Sequence, residues 1–134
     1  MIPVFADTAY FIGLLNPSDV AHNLAVEYSN LVDRIVTTEW VLLELADGLS
    51  VCVNRMHFGT TREGLLARPL VEVIPLGMDL HKRAINLYMS RPDKDWSLTD
   101  CVSFIVMTDR KLTEALTTDH HFEQAGFKAL LIEP

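Results

Sequence analysis

The sequence predicts an α/β fold of three layers, α/β/α, around a central parallel sheet of about five strands. Three observations predict it: an apolar run at the start that stops abruptly at Asp7, an alternation of strand-like and helix-like stretches, and short connections between them. At 134 residues the chain is long enough to bury about two thirds of its unfolded surface in a core. No linker or repeat divides it, so residues 1-134 are expected to form a single domain.

The elements follow in order. Met1-Ile-Pro-Val-Phe-Ala reads as a central strand buried on both faces. Asp7 at its end stands outside the carboxyl end of a strand, where open α/β sheets place their chemistry. Thr8 to Leu15 is helix-like and is stopped by Asn16-Pro17. Ser18 is placed to cap a second helix, Asp19 to Val32, with Val20, Leu24, Tyr28 and Leu31 as its apolar stripe. Arg34 to Thr37 reads as a second strand. From Thr38 to Val53 the chain is apolar on most sides, which predicts one helix buried between neighbours, with Glu44 inside it.

Phe58 to Leu70 mixes glycine, proline and charge and predicts a short, less buried helix and a turn. Val71 to Pro75 reads as a third strand. Met78 to Met89 is helical through Leu80, Ala84, Ile85 and Tyr88, and Arg91 to Asp95 is a charged loop. Ser97 opens another helix, with Val102, Ile105, Val106 and Met107 on its apolar stripe, ending near Asp109-Arg110-Lys111. Ala115 to Thr118 is a fourth strand, Asp119 to Gln124 one helical turn, and Ala129 to Ile132 a fifth strand. Short connections between parallel strands imply right-handed crossovers.

Eighteen acidic residues against 11 basic ones give a net charge of -7, which argues against gripping nucleic acid by bulk electrostatics alone. A hydrophobic fraction of 49% suggests that a partner covers some apolar surface. No apolar run approaches the roughly 18 residues of a membrane span, and no basic leader precedes the first strand, so a cytoplasmic protein is expected. Cys52 and Cys101 lack the spacing of a zinc or redox motif and are expected to be reduced core thiols.

Four acids stand apart: Asp7 after strand one, Glu44 in the apolar helix, Asp100 in the first turn of a later helix, and Asp119 after strand four. Each has a plain structural use. Asp7 and Asp119 sit where helix caps are favoured, and Ser97 and Asp100 have capping-box spacing. Glu44 is harder to explain, because a carboxylate among leucines and valines costs several kcal/mol unless something pairs with it. If the four converge, pairs of carboxylates ~4 Å apart repel by about 4 kcal/mol at an effective dielectric of about 20. A divalent cation would offset that repulsion, and an all-oxygen donor set favours Mg²⁺ or Mn²⁺ over zinc.

These residues carry a resemblance. The opening Phe5-Ala-Asp7-Thr8, then Thr37-Thr-Glu-Trp-Val-Leu-Leu-Glu44-Leu45, then Asp95-Trp-Ser-Leu-Thr-Asp100-Cys-Val-Ser-Phe104, and finally Ala115-Leu-Thr-Thr-Asp119-His-His-Phe-Glu-Gln-Ala-Gly-Phe127 resemble the PIN-domain ribonucleases. More narrowly, the chain is similar to the VapC-type toxins of prokaryotic toxin–antitoxin modules, over nearly its whole length. The resemblance implies a PIN-like fold. It also implies a Mg²⁺-dependent endoribonuclease, with Mn²⁺ as the alternative ion, that cuts single-stranded or looped RNA with a metal-activated water. Asp7, Glu44 and Asp100 would be the catalytic metal ligands, with Asp119 as a fourth or as the group that orients the nucleophile. Thr8, Thr99 and Ser103 match polar positions that support such sites. A small antitoxin with an apolar helix and a homodimer are the partners implied, alongside the RNA substrate.

Arg62, Arg68, Arg91, Lys94, Arg110 and Lys111 are candidates for phosphate contacts. His120 and His121, as neighbours on one turn, are expected to face different directions rather than to bind metal together. Trp96 is expected to pack beneath the site, and Asp19 and His22 to serve the start of a helix. The alternative function is a PIN-like module that holds RNA or a protein without cutting. Phosphorelay receivers and Asp-x-Asp phosphatases fit less well, since Asp7-Thr-Ala9 lacks their second acid.

Overall fold

The computed structural model describes residues 2–132, the side chains of residues 52 and 53 excepted. Its strands are β1 (Val4–Ala6), β2 (Ile35–Thr38), β3 (Val71–Ile74), β4 (Glu114–Leu116) and β5 (Lys128–Ala129). They form one sheet in the order β3-β2-β1-β4-β5, and every pairing is parallel. Every residue of β1 and β2 is buried, as expected for β-branched and aromatic strands covered by helices on both faces. The expected three-layer α/β/α architecture is what the chain adopts.

The helices are α1 (Thr8–Leu15), α2 (His22–Leu31), α3 (Glu39–Gly48), α4 (Cys52–Ala67), α5 (Met78–Ser90), α6 (Leu98–Asp109) and α7 (His120–Gln124). By contact they sort into two groups, α1 to α4 and α5 to α7, with α3 and α6 meeting where the groups join. The buried faces of these two helices, Val41, Leu42 and Leu45 on one and Val102, Val106 and Met107 on the other, are core. Phe104 of α6 packs edge-on against both Trp96 and Phe122, with ring centroids 5.0 Å apart in each case.

The order of strands positions the site. From β1 the chain moves outward to β2 and β3, then returns to lay β4 against the opposite edge of β1. The crevice between β1 and β4 is therefore the point where the winding reverses, the place where open α/β sheets bind their ligands. Asp7 leaves β1 there, and Asp119 follows β4.

Four local expectations are corrected. Ser18 does not cap α2. The side chain of Asn16 accepts the backbone N–H of Ser18 at 3.0 Å and that of Asp19 accepts the N–H of Ala21 at 2.9 Å, so these turns delay the helix to His22. Val20 is consequently 95% exposed, and the packed stripe is Leu24, Ala25 and Tyr28. The ring of His22 donates from Nδ1 to the carbonyl of Gly13 at 2.7 Å. At Gly13 an added Cβ would lie 3.3 Å from the Cβ of Ala25, so the missing side chain is what lets α1 and α2 approach.

The long apolar run from Thr38 to Val53 is two helices rather than one, because α3 ends at Gly48 and α4 starts at Cys52. Helix α4 then continues to Ala67, longer than expected for that region. Gly59 and Gly64 each cost about 1 kcal/mol relative to alanine within a helix, and neither ends it. Cys101 is a buried free thiol, whereas the expectation for Cys52 falls outside the described side chains.

Candidate active site

Asp7 occupies the cap position of α1, yet its carboxylate makes no cap hydrogen bond. Instead Thr117 Oγ1 donates to Asp7 Oδ2 at 2.7 Å, and the same hydroxyl accepts the backbone N–H of Asp119 at 3.0 Å. One threonine thus ties the ends of β1 and β4 together across the crevice. Asp7 is 6% exposed. Burial raises its carboxyl from 3.8 to about 7; the Thr117 hydroxyl and the backbone at Thr8 oppose that shift, while the charges of Glu44 and Asp100 add to it.

Glu44 projects from α3 toward the same end of the sheet. It is half-buried rather than enclosed, because Leu43 beside it turns outward and is 56% exposed. Thr8 Oγ1 donates to Glu44 Oε1, so the first residue of α1 fixes this acid. Burial raises the Glu44 carboxyl, the Thr8 hydroxyl lowers it, and Asp100 and Asp119 raise it further.

Asp100 fills the structural role expected of it. Its backbone N–H donates to Ser97 Oγ and its Oδ2 accepts the Ser97 N–H, each at 3.0 Å, which completes the capping box of α6. The carboxyl is nevertheless raised, first by burial and then by Asp119, against the lowering effects of the Ser97 backbone and of His121. Asp119 caps α7, accepting the N–H of His121 at 2.9 Å.

The predicted acids lie near enough to act on one another by charge: Asp7 feels Glu44 and Asp100, Glu44 feels Asp100 and Asp119, and Asp100 feels Asp119. Among the described residues, the group whose ligand atoms all lie within 4.8 Å of one another is Asp119, His120 and His121, which contains one of the four. Among the described residues, no lysine or arginine ion pair includes any of them. Arg62, Arg83, Arg91 and Arg110 pair instead with Glu39, Asp109, Asp93 and Glu72. Three carboxyls held above their ordinary range, with no arginine or lysine paired to them among the described residues, are an oxygen-rich donor set of the kind that suits a divalent cation.

The supporting residues divide. Thr8 touches the site, but Ser103 is buried and donates to the carbonyl of Thr99 at 3.1 Å within α6. Trp96 packs below, as expected, donating from Nε1 to Gln124 at 3.0 Å with Arg91 4.9 Å above its ring.

The role of Thr117 escaped the sequence reading, and that reading did not foresee what His121 faces. Thr117 gave one usable signal, its place two residues before Asp119 at the end of a buried strand. His120 and His121 face different directions, as expected, with side chains 71% and 19% exposed, and the Nδ1 of His121 lies 3.1 Å from Asp100 Oδ2 and 3.3 Å from Asp119 Oδ1. The cap bond between its own N–H and Asp119 draws this residue back over the acids.

Replacing Thr117 by Val should leave the buried Asp7 carboxylate without its donor, a loss of about 1–3 kcal/mol. Denaturant titrations in EDTA should show a larger loss at pH 8, where Asp7 is ionised, than at pH 4. Equal losses at both values would show that the bond to Asp7 is not the one that matters.

No protein-family model matches the chain. The 23S rRNA-specific endonuclease VapC20 of Mycobacterium tuberculosis is 25% identical to it over 126 residues, 92% of this chain and 95% of the relative, in strains CDC 1551 / Oshkosh and H37Rv alike. The crystal structure of VapC20, described as a Sarcin-Ricin loop cleaving toxin, superposes with a TM-score of 0.83 at 24% identity over 92% of this chain and 95% of that one. VapBC2 from Rickettsia felis, bound to a DNA fragment from its promoter, gives 0.65 at 14% identity, covering 94% and 96%. FitAcB from Neisseria gonorrhoeae gives 0.65 at 17%, covering 94% of each chain. The resemblance to VapC-type PIN proteins thus holds in sequence and in fold.

Proposed function

We propose that this chain is a metal-dependent endoribonuclease that cleaves single-stranded or looped RNA, and that it is the toxin of a toxin–antitoxin pair. The observation that carries the reading is the cluster of Asp7, Glu44, Asp100 and Asp119 at the sheet's switch point, mutually repelling and without a lysine or arginine partner. The similarity to a named ribosomal RNA endonuclease supports the RNA substrate. Residues 1-134 would form one PIN domain.

Asp7, Glu44 and Asp100 would hold Mg²⁺, or Mn²⁺ in its place, with Asp119 beside them. A bound divalent ion of this kind supplies an acidified water and offsets charge on the phosphate oxygens. The chain's own work is to fix the acids. Thr117 holds Asp7 at the floor of the crevice, Thr8 aims Glu44, and the Ser97 capping box sets Asp100, so little reorganisation is needed when the site is filled. Among the described residues, Arg91 and Lys94 pair with the exposed Asp93 and Arg91 also lies over the Trp96 ring, contacts weak enough for both to turn toward phosphates.

The test is cleavage of labelled single-stranded RNA at low salt by protein freed of any partner, with Mg²⁺, with Mn²⁺ and with EDTA. Cleavage that needs the metal supports the reading. No cleavage with either ion, together with no metal-linked rise in Tm, would leave a binding module as the better account.

A small antitoxin and a second copy of the chain are the proposed partners. In support, a cavity of about 350 Å³ of mixed lining, Ile12, Leu15 and Leu49 with Asn16, Asn54 and His57, opens between α1, α3 and α4, and Met78, Tyr88 and Met89 are exposed along α5. Size-exclusion chromatography of protein taken from its own source should yield a particle containing two copies and a small second chain. A lone monomer would remove both partners from the proposal.

A further inference from the structure

We infer that His121 is a nitrogen ligand to the divalent cation of this site and biases the site toward Mn²⁺ over Mg²⁺. This rests on the metal-dependent reading above and adds to it a donor of a different kind, since the four acids alone form an all-oxygen set.

The geometry singles out His121. Asp119, His120 and His121 each offer a ligand atom, all within 4.8 Å of one another. His120 is 71% exposed at its side chain, with Nδ1 3.9 Å from Asp119 Oδ1. The side chain of His121 is 19% exposed, and its Nδ1 faces two carboxylate oxygens of different elements, Asp100 Oδ2 at 3.1 Å and Asp119 Oδ1 at 3.3 Å.

A ring nitrogen has a single in-plane direction for a proton or a lone pair, so it can satisfy one of these oxygens well but not both. Adjacent donors around a six-coordinate ion bound at about 2.1 Å lie about 3.0 Å apart, and the two observed separations approach that edge. One cation between His121 Nδ1 and Asp119 Oδ1, two of the three residues whose ligand atoms lie within 4.8 Å of one another, would serve both atoms at once. The arrangement is also held in place: the His121 N–H is bonded to Asp119 Oδ1, and Phe122 beside it is fully buried, which anchors α7 against α6.

The choice of metal follows from the donor. Mg²⁺ favours oxygen ligands and keeps its waters, whereas affinity for a nitrogen donor rises along the divalent transition metals from Mn²⁺ onward. A single imidazole among carboxylates therefore adds to Mn²⁺ binding and does little for Mg²⁺.

The decisive experiment titrates the metal-free protein with Mn²⁺ and with Mg²⁺, then records pulsed electron paramagnetic resonance of the Mn²⁺ complex for wild type, His121→Ala and His120→Ala. The expected result is a nitrogen modulation that is present in wild type and His120→Ala and absent in His121→Ala. The ratio of Mn²⁺ to Mg²⁺ affinity should fall by about tenfold in His121→Ala, the scale at which ligand-set changes alter metal affinity. His121→Asn serves if the alanine variant does not fold. Bound Mn²⁺ with no nitrogen signal, or a signal that survives loss of His121, overturns the inference while leaving the metal site standing. Failure of both ions to bind overturns the metal-dependent reading itself, and the inference with it.

Discussion

Asp100→Asn should lower the rate of RNA cleavage by about 1000-fold, on the order of 4 kcal/mol of transition-state stabilisation, without unfolding the protein. The asparagine keeps the shape of the side chain and retains an oxygen that can accept the Ser97 N–H, so the capping box survives. What it loses is one negative charge where Asp119 and Glu44 converge. The measurement is single-turnover cleavage of labelled RNA with Mg²⁺ and with Mn²⁺, alongside a denaturant curve. A variant that cuts within tenfold of wild type would remove Asp100 from the metal site.

Asp7→Asn should abolish cleavage too, and in EDTA at neutral pH it should make the protein more stable. The Asp7 carboxyl is raised in the folded chain to about 7 from an unfolded value of 3.8. Below about pH 4 both states carry the proton and the stability it confers is complete. As pH climbs toward 7 the unfolded chain releases its proton while the folded chain keeps it, so stability falls. The fall ends above the folded value, after a loss on the order of 4 kcal/mol. Glu44 and Asp100, also raised, push the profile the same way.

Asparagine removes the Asp7 contribution. Thermal unfolding in EDTA should therefore show wild type losing Tm between pH 4 and pH 7.5, and Asp7→Asn losing much less. Added Mn²⁺ should restore wild type at pH 7.5, by about 2.7 kcal/mol at a hundredfold excess over Kd, and leave the variant unchanged. A flat wild-type profile, or equal rescue of both proteins, would contradict the buried-acid account.

The strands were the most legible part of the fold because their signals are local. Val4, Phe5, Ile35 and Val36 are strand formers buried on both faces, and the Asn16-Pro17 stop ended α1 where expected. Errors arose where side chains compete with backbone or where a helix is bounded by tertiary packing. Asn16 and Asp19 bind nearby N–H groups and postpone α2, which no apolar periodicity reveals. The run after Thr38 is hydrophobic enough to read as one helix, and the turn after Gly48 divides it.

The acids were legible individually from their positions at strand ends and helix starts. Their grouping into one site was implied only by the family resemblance, whereas the bond from Thr117 to Asp7 was not legible, because 110 residues separate the two and only the strand order brings them together. That His120 and His121 face different directions was legible from helical spacing; that the His121 ring meets Asp100 and Asp119 was not, because it depends on where α6 and α7 are packed.

The 110-residue span between Thr117 and Asp7 also sets a schedule. On a ribosome adding roughly 5–20 residues per second, β1 is synthesised first and waits roughly 5–20 s for the strand that completes its crevice. Throughout that interval Asp7, Glu44 and finally Asp100 exist on a chain whose β1 has a bare edge where β4 will lie. Neither the threonine that holds Asp7 nor Asp119 has yet been made. A nascent chain built in this order cannot close the crevice until it is nearly finished.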